Sequence, residues 1–238
     1  MSGSDRGRSR RSVTLAPYPR WVMLARRRIT LAAVFALAAF TLAACSRPQP
    51  WHGVDISGSL PRLSFTMTRA NDGKIVTAAD YRGKVVMLYF GYTFCPDICP
   101  TTLANIALIL KRLGPQAAHV RFLFVTIDPN RDTLAALKRY TALFAPEMDG
   151  LRGTPDEIAE LARRYRVTYS VHPGGGGKPY TVSHGAAIYA FDTTGRARVL
   201  LPIETVPHPD LAGTAADLTR LIDESAPKGF LGWLRQML

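Results

Sequence analysis

Cysteine is scarce in this chain, with only three among 238 residues. Cys45 lies near the N-terminus, while Cys95 and Cys99 are separated by three residues. A small exported domain held together by several disulfides needs more cysteines than this. The sequence therefore excludes a disulfide scaffold and leaves Cys95 and Cys99 as one close dithiol pair. Internal repeats are also absent, and the glycine run at 174–177 is the longest biased tract.

Acidic residues are few as well, since 18 Asp and Glu stand against 30 Lys and Arg, for a formal net charge of +12. Residues 1–44 hold eight arginines and one aspartate, so they supply +7 of that charge. The rest of the chain carries only +5 and has no stripe of basic and aromatic residues. We therefore expect no nucleic-acid partner. Hydrophobic residues make up 47% of the chain, which is enough for a buried core.

The N-terminal charge belongs to a targeting segment. Three arginines at 26–28 precede the apolar run ITLAAVFALAAFTLAAC, which ends in small residues and Cys45. This order is typical of a signal peptide, here residues 1–44. Residues 42–45 resemble a bacterial lipobox, which implies cleavage before Cys45 and a lipid on its sulfur. A plain transmembrane anchor is the alternative. Both arrangements predict a membrane-tethered protein, and we expect it on the periplasmic side of a bacterial membrane.

Four segments make up the predicted organisation. Met23 lies just ahead of the arginines, which makes it a candidate for the true start of the signal peptide. Residues 45–58 contain prolines and glycines and predict a lipid-anchored tether. Residues 59–226 predict one folded domain. Residues 227–238 form an apolar C-terminal tail suited to a membrane interface or a partner groove, or to packing back onto the domain.

Strand and helix patterns alternate along the domain. The segments LSFTMT and KIV around the turn at 71–73 predict a hairpin, and KVVMLYFGY and VRFLFVTID predict buried strands. Helical spacing follows each buried strand, and Thr154, Pro155 and Glu157 predict a capping box. The segments RVTYSV and AAIYAFD predict two strands joined across the glycines, with His184 at the start of the second. This order predicts an α/β fold with a central mixed sheet flanked by helices.

The cysteine pair lies between a predicted strand and a predicted helix. Backbone N–H groups and the helix dipole at such a junction favour thiolate over thiol for the pair. Pro100 fits the first helical turn, which places Cys99 near the N-cap and Cys95 in the loop before it. Three intervening residues let both sulfurs face the same volume. The pair could form a structural disulfide, act as a redox pair, or bind a soft metal such as Cu(I). A crosslink across so short a loop stabilises little, which favours the redox or metal role.

A metal held by two thiolates needs a further donor, and the chain has five histidines. His184 follows the glycine run, where a loop at the sheet end could bring it over Cys95 and Cys99. By its sequence context alone, His184 also fits an ordinary loop histidine.

Three motifs together resemble the Sco/SenC family: GKVVMLYFGYTFCPDICPTTL with its CxxxC, FVTIDPNRDT at 124–133, and YTVSHGAAIYAFD at 180–192. The resemblance implies a thioredoxin-like fold with an added N-terminal β-hairpin. It also implies a copper ion, Cu(I) or Cu(II), bound by Cys95, Cys99 and His184. Family members are copper chaperones for cytochrome c oxidase assembly. They are expected to deliver copper to the Cu(A) site of subunit II or to reduce its cysteines, and a copper-donor protein is a further expected partner.

Two acidic residues are candidates for supporting roles at this site. Asp128, in the family's DP segment, could approach the copper loop or could be a turn residue. Asp97, between the cysteines, could tune their charge or contact the partner, or could be an exposed loop acid. Arg131 is expected to organise the turn before the next helix. Family members commonly read VDHS where this chain has VSHG at 182–185, so an acidic neighbour for His184 is missing.

Two functions of different classes remain open from the sequence. One is a copper carrier that passes its metal on by ligand exchange. The other is a thiol-disulfide oxidoreductase that uses Cys95 and Cys99 as a redox-active pair. The predicted His184 ligand favours the carrier, because dithiol exchange needs no distant histidine. A peroxidase would need an activating threonine and arginine beside one cysteine, for which Thr93 and Arg131 are the candidates.

Overall fold

An eight-stranded mixed sheet forms the centre of the fold. The computed structural model describes residues 50–175, 179–185, 187–203 and 208–225. The strands within these residues are β1 (Val54–Asp55), β2 (Thr66–Arg69), β3 (Ile75–Thr77), β4 (Val85–Gly91), β5 (Val120–Thr126), β6 (Met148–Arg152), β7 (Tyr169–His172), β8 (Thr181–His184), β9 (Ile188–Phe191) and β10 (Ala197–Leu201). The helices are α1 (Ile98–Leu113), α2 (Leu134–Ala142), α3 (Pro155–Arg164) and α4 (Leu211–Ser225), with 3-10 helices at Ala78–Tyr81 and Gly114–His119.

The strands of the large sheet lie in the order β1-β10-β9-β4-β5-β6-β2-β3. Strands β4, β5 and β6 are parallel, and the other neighbours pair antiparallel. All seven residues of β4 are buried, as expected for a central strand with helices on both faces of its sheet. The predicted α/β fold with a central mixed sheet is confirmed, and the predicted hairpin is β2–β3 at one edge.

Successive residues of β4 pack on opposite faces of the sheet, because side chains alternate along a strand. Met87 and Tyr89 lie in one core cluster with residues of α1, α2 and α4. Leu88 and Phe90 lie in a second cluster with residues of α3. The apolar segment that the sequence shows as one continuous run therefore serves two cores.

The predicted capping box at Thr154 is also confirmed. The hydroxyl of Thr154 accepts a hydrogen bond from the Glu157 backbone N–H at 3.3 Å, and the Glu157 carboxylate accepts from the Thr154 N–H at 2.7 Å. This reciprocal pair is the capping box of α3. Thr133 caps α2 by accepting from the Ala136 N–H at 3.1 Å.

Strand β6 was not anticipated from the sequence. Its segment, MDGLR, contains an aspartate and a glycine, which gives no strand pattern. Asp149 is nevertheless buried because its carboxylate accepts a hydrogen bond from the Tyr81 hydroxyl at 3.0 Å. Helix α2 packs so closely on Gly150 that an added Cβ would lie 3.0 Å from the Cβ of Leu137. Tertiary contacts, rather than local pattern, thus make this segment a strand.

The region around His184 differs from the prediction. The segment RVTYSV supplies β7, but its partner is β8, a short strand in a separate two-stranded sheet. The segment AAIYAFD supplies β9, which joins the large sheet instead. His184 is therefore the last residue of β8 and does not begin the following strand. The prediction was wrong because the mixed polar segment TVSH gives no clear strand signal.

The chain also enters the folded unit earlier than the expected tether boundary at residue 58. Strand β1 pairs with β10, and the backbone N–H groups of His52 and Gly53 donate to the Asp217 carboxylate at 3.1 and 2.9 Å. The guanidinium carbon of Arg220 lies 3.8 Å from the centre of the Trp51 ring. Residues 51–58 are thus attached to α4 and the sheet edge.

Several predicted features lie outside the described residues. These are the signal peptide at 1–44, its possible start at Met23, the lipidation site Cys45 and the apolar tail at 227–238. Among the helices that the structure does describe, none has the length and apolar character needed to cross a membrane.

Replacing Asp217 by alanine removes the acceptor of two backbone N–H groups in the segment that precedes β1. We expect Asp217→Ala to lower the free energy of unfolding by about 1–3 kcal/mol and to make the chain cleavable after Trp51. Urea denaturation and limited chymotrypsin digestion measure these effects. Asp223→Ala, an exposed change on the same helix, is the matched control. Equal digestion of the two variants would contradict the prediction.

Candidate metal centre

The cysteine loop, residues 92–97, joins the end of β4 to the start of α1. Asp97 is the N-cap residue of α1, so Cys99 is the second residue of the helix and Pro100 the third. The expected position of Cys99 in the first turn is thereby confirmed, with the N-cap two residues earlier. This places Cys99 where free backbone N–H groups and the positive end of the helix dipole meet.

The two sulfurs differ in exposure and in hydrogen bonding. Cys99 is fully buried, whereas Cys95 is partly exposed, and both are free thiols. The backbone N–H of Cys99 donates to the Cys95 sulfur at 3.4 Å. The hydroxyl of Tyr89, in β4, donates to the Cys99 sulfur at 3.5 Å. One cysteine is therefore accessible to a partner molecule, while the other is fixed by the core.

Gly91 makes room for the buried sulfur. An added Cβ at this position would lie 2.9 Å from Cys99 Sγ and 2.7 Å from the Phe124 ring. Both distances are too short for a carbon contact, so the last residue of β4 must be glycine if Cys99 is to keep its place. This requirement could not be read from the sequence, where Gly91 looks like an ordinary strand end.

His184 comes from β8 to the same place. Its Nε2 lies 3.5 Å from Cys99 Sγ, and its ring lies edge-on to the rings of Tyr89 and Tyr92, with centroids 5.9 and 6.1 Å away. Its Nδ1 is 3.1 Å from the backbone carbonyl oxygen of Gly185. A carbonyl can only accept, so Nδ1 carries the proton and Nε2 presents its lone pair to the sulfurs. The Gly185 carbonyl thus takes the place of the missing acidic neighbour.

Cys95 and Cys99 have opposite acid-base behaviour. The hydrogen bond from the Cys99 side chain is the largest cause that lowers the pKa of the Cys95 thiol to about 5, and the backbone N–H groups of Cys99 and Asp97 also contribute. The pKa of Cys99 is raised, first because its hydrogen bond to Cys95 favours the protonated form and then because the thiol is buried. At neutral pH the accessible sulfur is therefore a thiolate and the buried sulfur a thiol.

These residues together form a group that fits a soft metal ion. The ligand atoms of Cys95, Cys99 and His184 all lie within 4.8 Å of one another, and no other such group occurs among the described residues. Thiolates suit Cu(I) and imidazole suits Cu(II), so this donor set fits copper in either valence. Binding through Cys99 would release its proton.

The two predicted supporting acids lie in different surroundings. Asp128 is buried outside this donor group, where its carboxylate accepts from the Tyr180 hydroxyl at 2.7 Å and pairs with Arg131. The exposed Asp97 makes no side-chain capping bond, although its backbone N–H faces Cys95. A charge-tuning role for the Asp97 carboxylate stays a prediction. Tyr180, which precedes β8 and is the first residue of the motif at 180–192, was given no role from the sequence.

The fold and this centre define a thioredoxin-like protein with a CxxxC pair and a histidine on a neighbouring strand. The family described as SCO1/SenC matches residues 59–221. The chain belongs to this family. The earlier resemblance and the thioredoxin-like fold are confirmed.

Individual relatives agree with this assignment. The structure of Bradyrhizobium japonicum ScoI with copper bound is 39% identical and covers 67% of this chain and 98% of its own, with a TM-score of 0.60. Yeast Sco1 with copper bound is 31% identical and covers 73% and 98%, with a TM-score of 0.61. The mitochondrial SCO2 homolog of Bos taurus is 43% identical over 125 residues, which are 52% of this chain and 47% of the relative. The chain thus spans about half the length of the curated relatives it matches.

Substitution of Gly91 tests how tightly the buried sulfur is held. We expect Gly91→Ala to displace Cys99 Sγ, to cost about 1–3 kcal/mol of stability and to weaken Cu(I) uptake. Urea denaturation and competition with a Cu(I) chelator measure the two effects. Gly175→Ala is the control, because an added Cβ there meets nothing within 4 Å. Normal Cu(I) uptake by Gly91→Ala would show that the sulfur is not confined as described.

The two thiols should react with iodoacetamide at different rates. Cys95 should react first, with a pH midpoint of about 5, because protonation of its thiolate below that pH lowers the rate. Cys99→Ala removes the hydrogen bond from the neighbouring thiol, so the midpoint should rise toward about 8.5. Mass spectrometry of the chain from residue 46 onward follows both reactions. A wild-type midpoint near the ordinary cysteine value would contradict the prediction.

Proposed function

We propose that this protein is a membrane-tethered copper chaperone outside the cytoplasm. In this role it binds copper through Cys95, Cys99 and His184 and helps to metallate the Cu(A) site of cytochrome c oxidase subunit II. The observation that carries the proposal is the convergence of the three donors from two separate parts of the chain, within 4.8 Å of one another. A dithiol enzyme would need only the two cysteines.

The choice of copper rests on donor chemistry and on relatives. Two sulfurs and one imidazole suit Cu(I) and Cu(II), as argued above, whereas hard cations prefer oxygen ligands. The Bradyrhizobium japonicum and yeast relatives are copper-bound in their structures. No carboxylate belongs to the donor group, which argues against a site for magnesium or calcium.

The difference between the two cysteines suggests how copper would be transferred. Cys99 is buried and accepts a hydrogen bond from the Tyr89 hydroxyl, so it would be the last ligand to dissociate from the metal. Cys95 is accessible and ionised, so a thiolate of the receiving protein can approach the metal from its side. His184 is the last residue of β8, outside the large sheet, so its ring can leave the metal without breaking strand pairing in that sheet. Copper would thus pass by stepwise ligand exchange, with Cys95 and His184 replaced before Cys99.

The proposal of membrane attachment is supported by the N-terminal sequence. The arginines at 26–28, the apolar run and the lipobox ending at Cys45 support a lipid anchor on the periplasmic side of a bacterial membrane. A diacyl group buries enough methylenes for stable attachment, which a single chain does not. Cytochrome c oxidase subunit II and a copper-donor protein would be the partners.

Thiol-disulfide exchange is the second candidate, favoured by the ionised and accessible Cys95. Its thiolate would attack a partner disulfide, form a mixed disulfide and release one partner thiolate. Cys99 would then lose its proton and attack Cys95 Sγ, which releases the second partner thiolate. The partner gains two electrons, and the chain ends with a Cys95–Cys99 disulfide. Subunit II cysteines or other exported proteins would be the substrates.

Copper binding by the reduced chain from residue 46 onward separates these functions. We expect one copper per chain, with an intense sulfur-to-Cu(II) absorption band. Cys95→Ala and Cys99→Ala should both lose tight binding. Loss of a residue that only supports a metal ligand typically weakens binding by roughly 10- to 100-fold. His184→Ala removes a ligand itself, so it should weaken Cu(II) binding by more than that. Cu(I) should still be held by the two thiolates.

His172→Ala is the matched control, because His172 lies on the neighbouring strand β7 and outside the donor group. It should bind copper as the wild type does. No copper retention by the reduced wild-type chain would refute the chaperone proposal and leave the thiol-disulfide exchange activity to be assayed.

A further inference from the structure

Arg131 lies at a junction between three segments of the chain. Its Nε donates to the Asp128 carboxylate, and its Nη1 donates to the backbone carbonyl of Tyr180 at 2.9 Å. Its guanidinium carbon lies 3.7 Å from the centre of the Tyr180 ring and 5.1 Å from that of Phe94 in the cysteine loop. This is more than the organisation of a turn, which the sequence suggested for Arg131.

Asp128 completes the junction. One of its carboxylate oxygens accepts from the Tyr180 hydroxyl at 2.7 Å, and the other pairs with Arg131. The Asp128 side chain is only 3% exposed and that of Arg131 only 18%, so little water competes for these bonds. Charge-assisted hydrogen bonds in such surroundings are stronger than neutral ones. We call Asp128, Arg131 and Tyr180 the Tyr180 clamp.

The clamp holds the segment that carries the histidine ligand. Tyr180 precedes His184 by four residues in the His184 arm, residues 179–185. Within the described residues, β8 pairs with β7 alone and has no backbone pairing with the large sheet. A two-stranded hairpin is only marginally stable by itself. Apart from its bonds to β7 and the residue before it, the arm is held by contacts that include the buried Val182, the His184 ring and the Tyr180 clamp.

We propose that Arg131, acting with Asp128 through Tyr180, is a positioning residue that keeps His184 beside Cys95 and Cys99. Arg131 touches both the arm and Phe94 in the cysteine loop, so it fixes the two parts of the metal centre relative to each other. The clamp makes no bond to the donor atoms themselves. The effect of Arg131 on copper binding rests on the proposed function. Its positioning of the arm does not, because the contacts of the clamp exist without a metal.

Hydrogen exchange of the metal-free full chain, purified in detergent, tests the positioning directly. In Arg131→Met, amides of the arm should exchange about 10-fold faster or more, because the opening of this segment loses its charge-assisted bonds. Tyr180→Phe keeps the ring under the guanidinium and loses only the bond to Asp128, so it should show a smaller increase. Arg82→Met is the matched control, since Arg82 is exposed and donates only to the Thr194 carbonyl.

Copper spectra give the second readout. In Arg131→Met the nitrogen hyperfine signal of bound Cu(II) should weaken, while Cu(I) stoichiometry should stay that of the wild type. Arg131→Lys keeps the charge without the planar stack on Tyr180 and should restore the signal only in part.

Unchanged exchange of the arm in both Arg131→Met and Tyr180→Phe would overturn the proposal. Arg131→Met could speed exchange throughout the chain by leaving the Asp128 charge buried and unpaired. In that case Tyr180→Phe is the deciding variant, because it removes one bond without leaving such a charge. Unchanged exchange of the arm in Tyr180→Phe would then overturn the proposal. If the wild-type chain binds no copper, the proposed function fails, while the exchange result still decides whether the clamp positions the arm.

Discussion

Strands β4 and β5 run parallel and in register over seven residues, from Val85 opposite Val120 to Gly91 opposite Thr126. Because both strands end at the same edge, the loop after β4 and the loop after β5 lie side by side. The first loop carries Cys95 and leads to Cys99 in the first turn of α1, and the second carries the acid and the arginine of the Tyr180 clamp. The pairing of β4 and β5 therefore brings the candidate ligand Cys95 to the same edge of the sheet as Asp128 and Arg131.

A buried carboxylate fastens the two loops together. Asp132 accepts hydrogen bonds from the Thr93 backbone N–H at 3.0 Å and from the Thr126 hydroxyl at 2.6 Å. The Thr93 hydroxyl also donates to it, at 2.5 Å, so Thr93 is committed to the structure of the loop. Burial raises the pKa of Asp132, which shows that these bonds offset only part of its desolvation. The Thr93 hydroxyl donates to Asp132, and the Nε and Nη1 groups of Arg131 donate to Asp128 and Tyr180, so these bonds give no support to the peroxidase alternative.

The sequence was informative wherever one local pattern determines a structure. The apolar segments of β4 and β5, the capping box at Thr154 and the close spacing of Cys95 and Cys99 each depend on residues near one another in the chain. Parts of the centre that depend on distant contacts could not be predicted. Strand β8 takes its conformation from β7 and from the clamp on Tyr180, and the need for glycine at position 91 comes from a sulfur on the following helix.

The same distinction applies to Asp128. Its position at a strand end suggested a role near copper, yet its carboxylate faces Tyr180 rather than the metal donors. A strand pattern fixes where a residue lies along an edge. It does not determine which side chain will contact that residue, because the partner of Asp128 is Tyr180, 52 residues later in the chain.

The attachment of Trp51 to α4 has a consequence for how far the protein can reach. With Cys45 lipidated as proposed, five residues, 46–50, separate the lipid from Trp51, and five fully extended residues would span at most about 18 Å. The domain would therefore stay close to the lipid surface and explore a shallow layer above it. Encounters with a partner would occur by lateral diffusion of the anchored protein, so copper transfer would be confined to partners whose metal sites come within that layer.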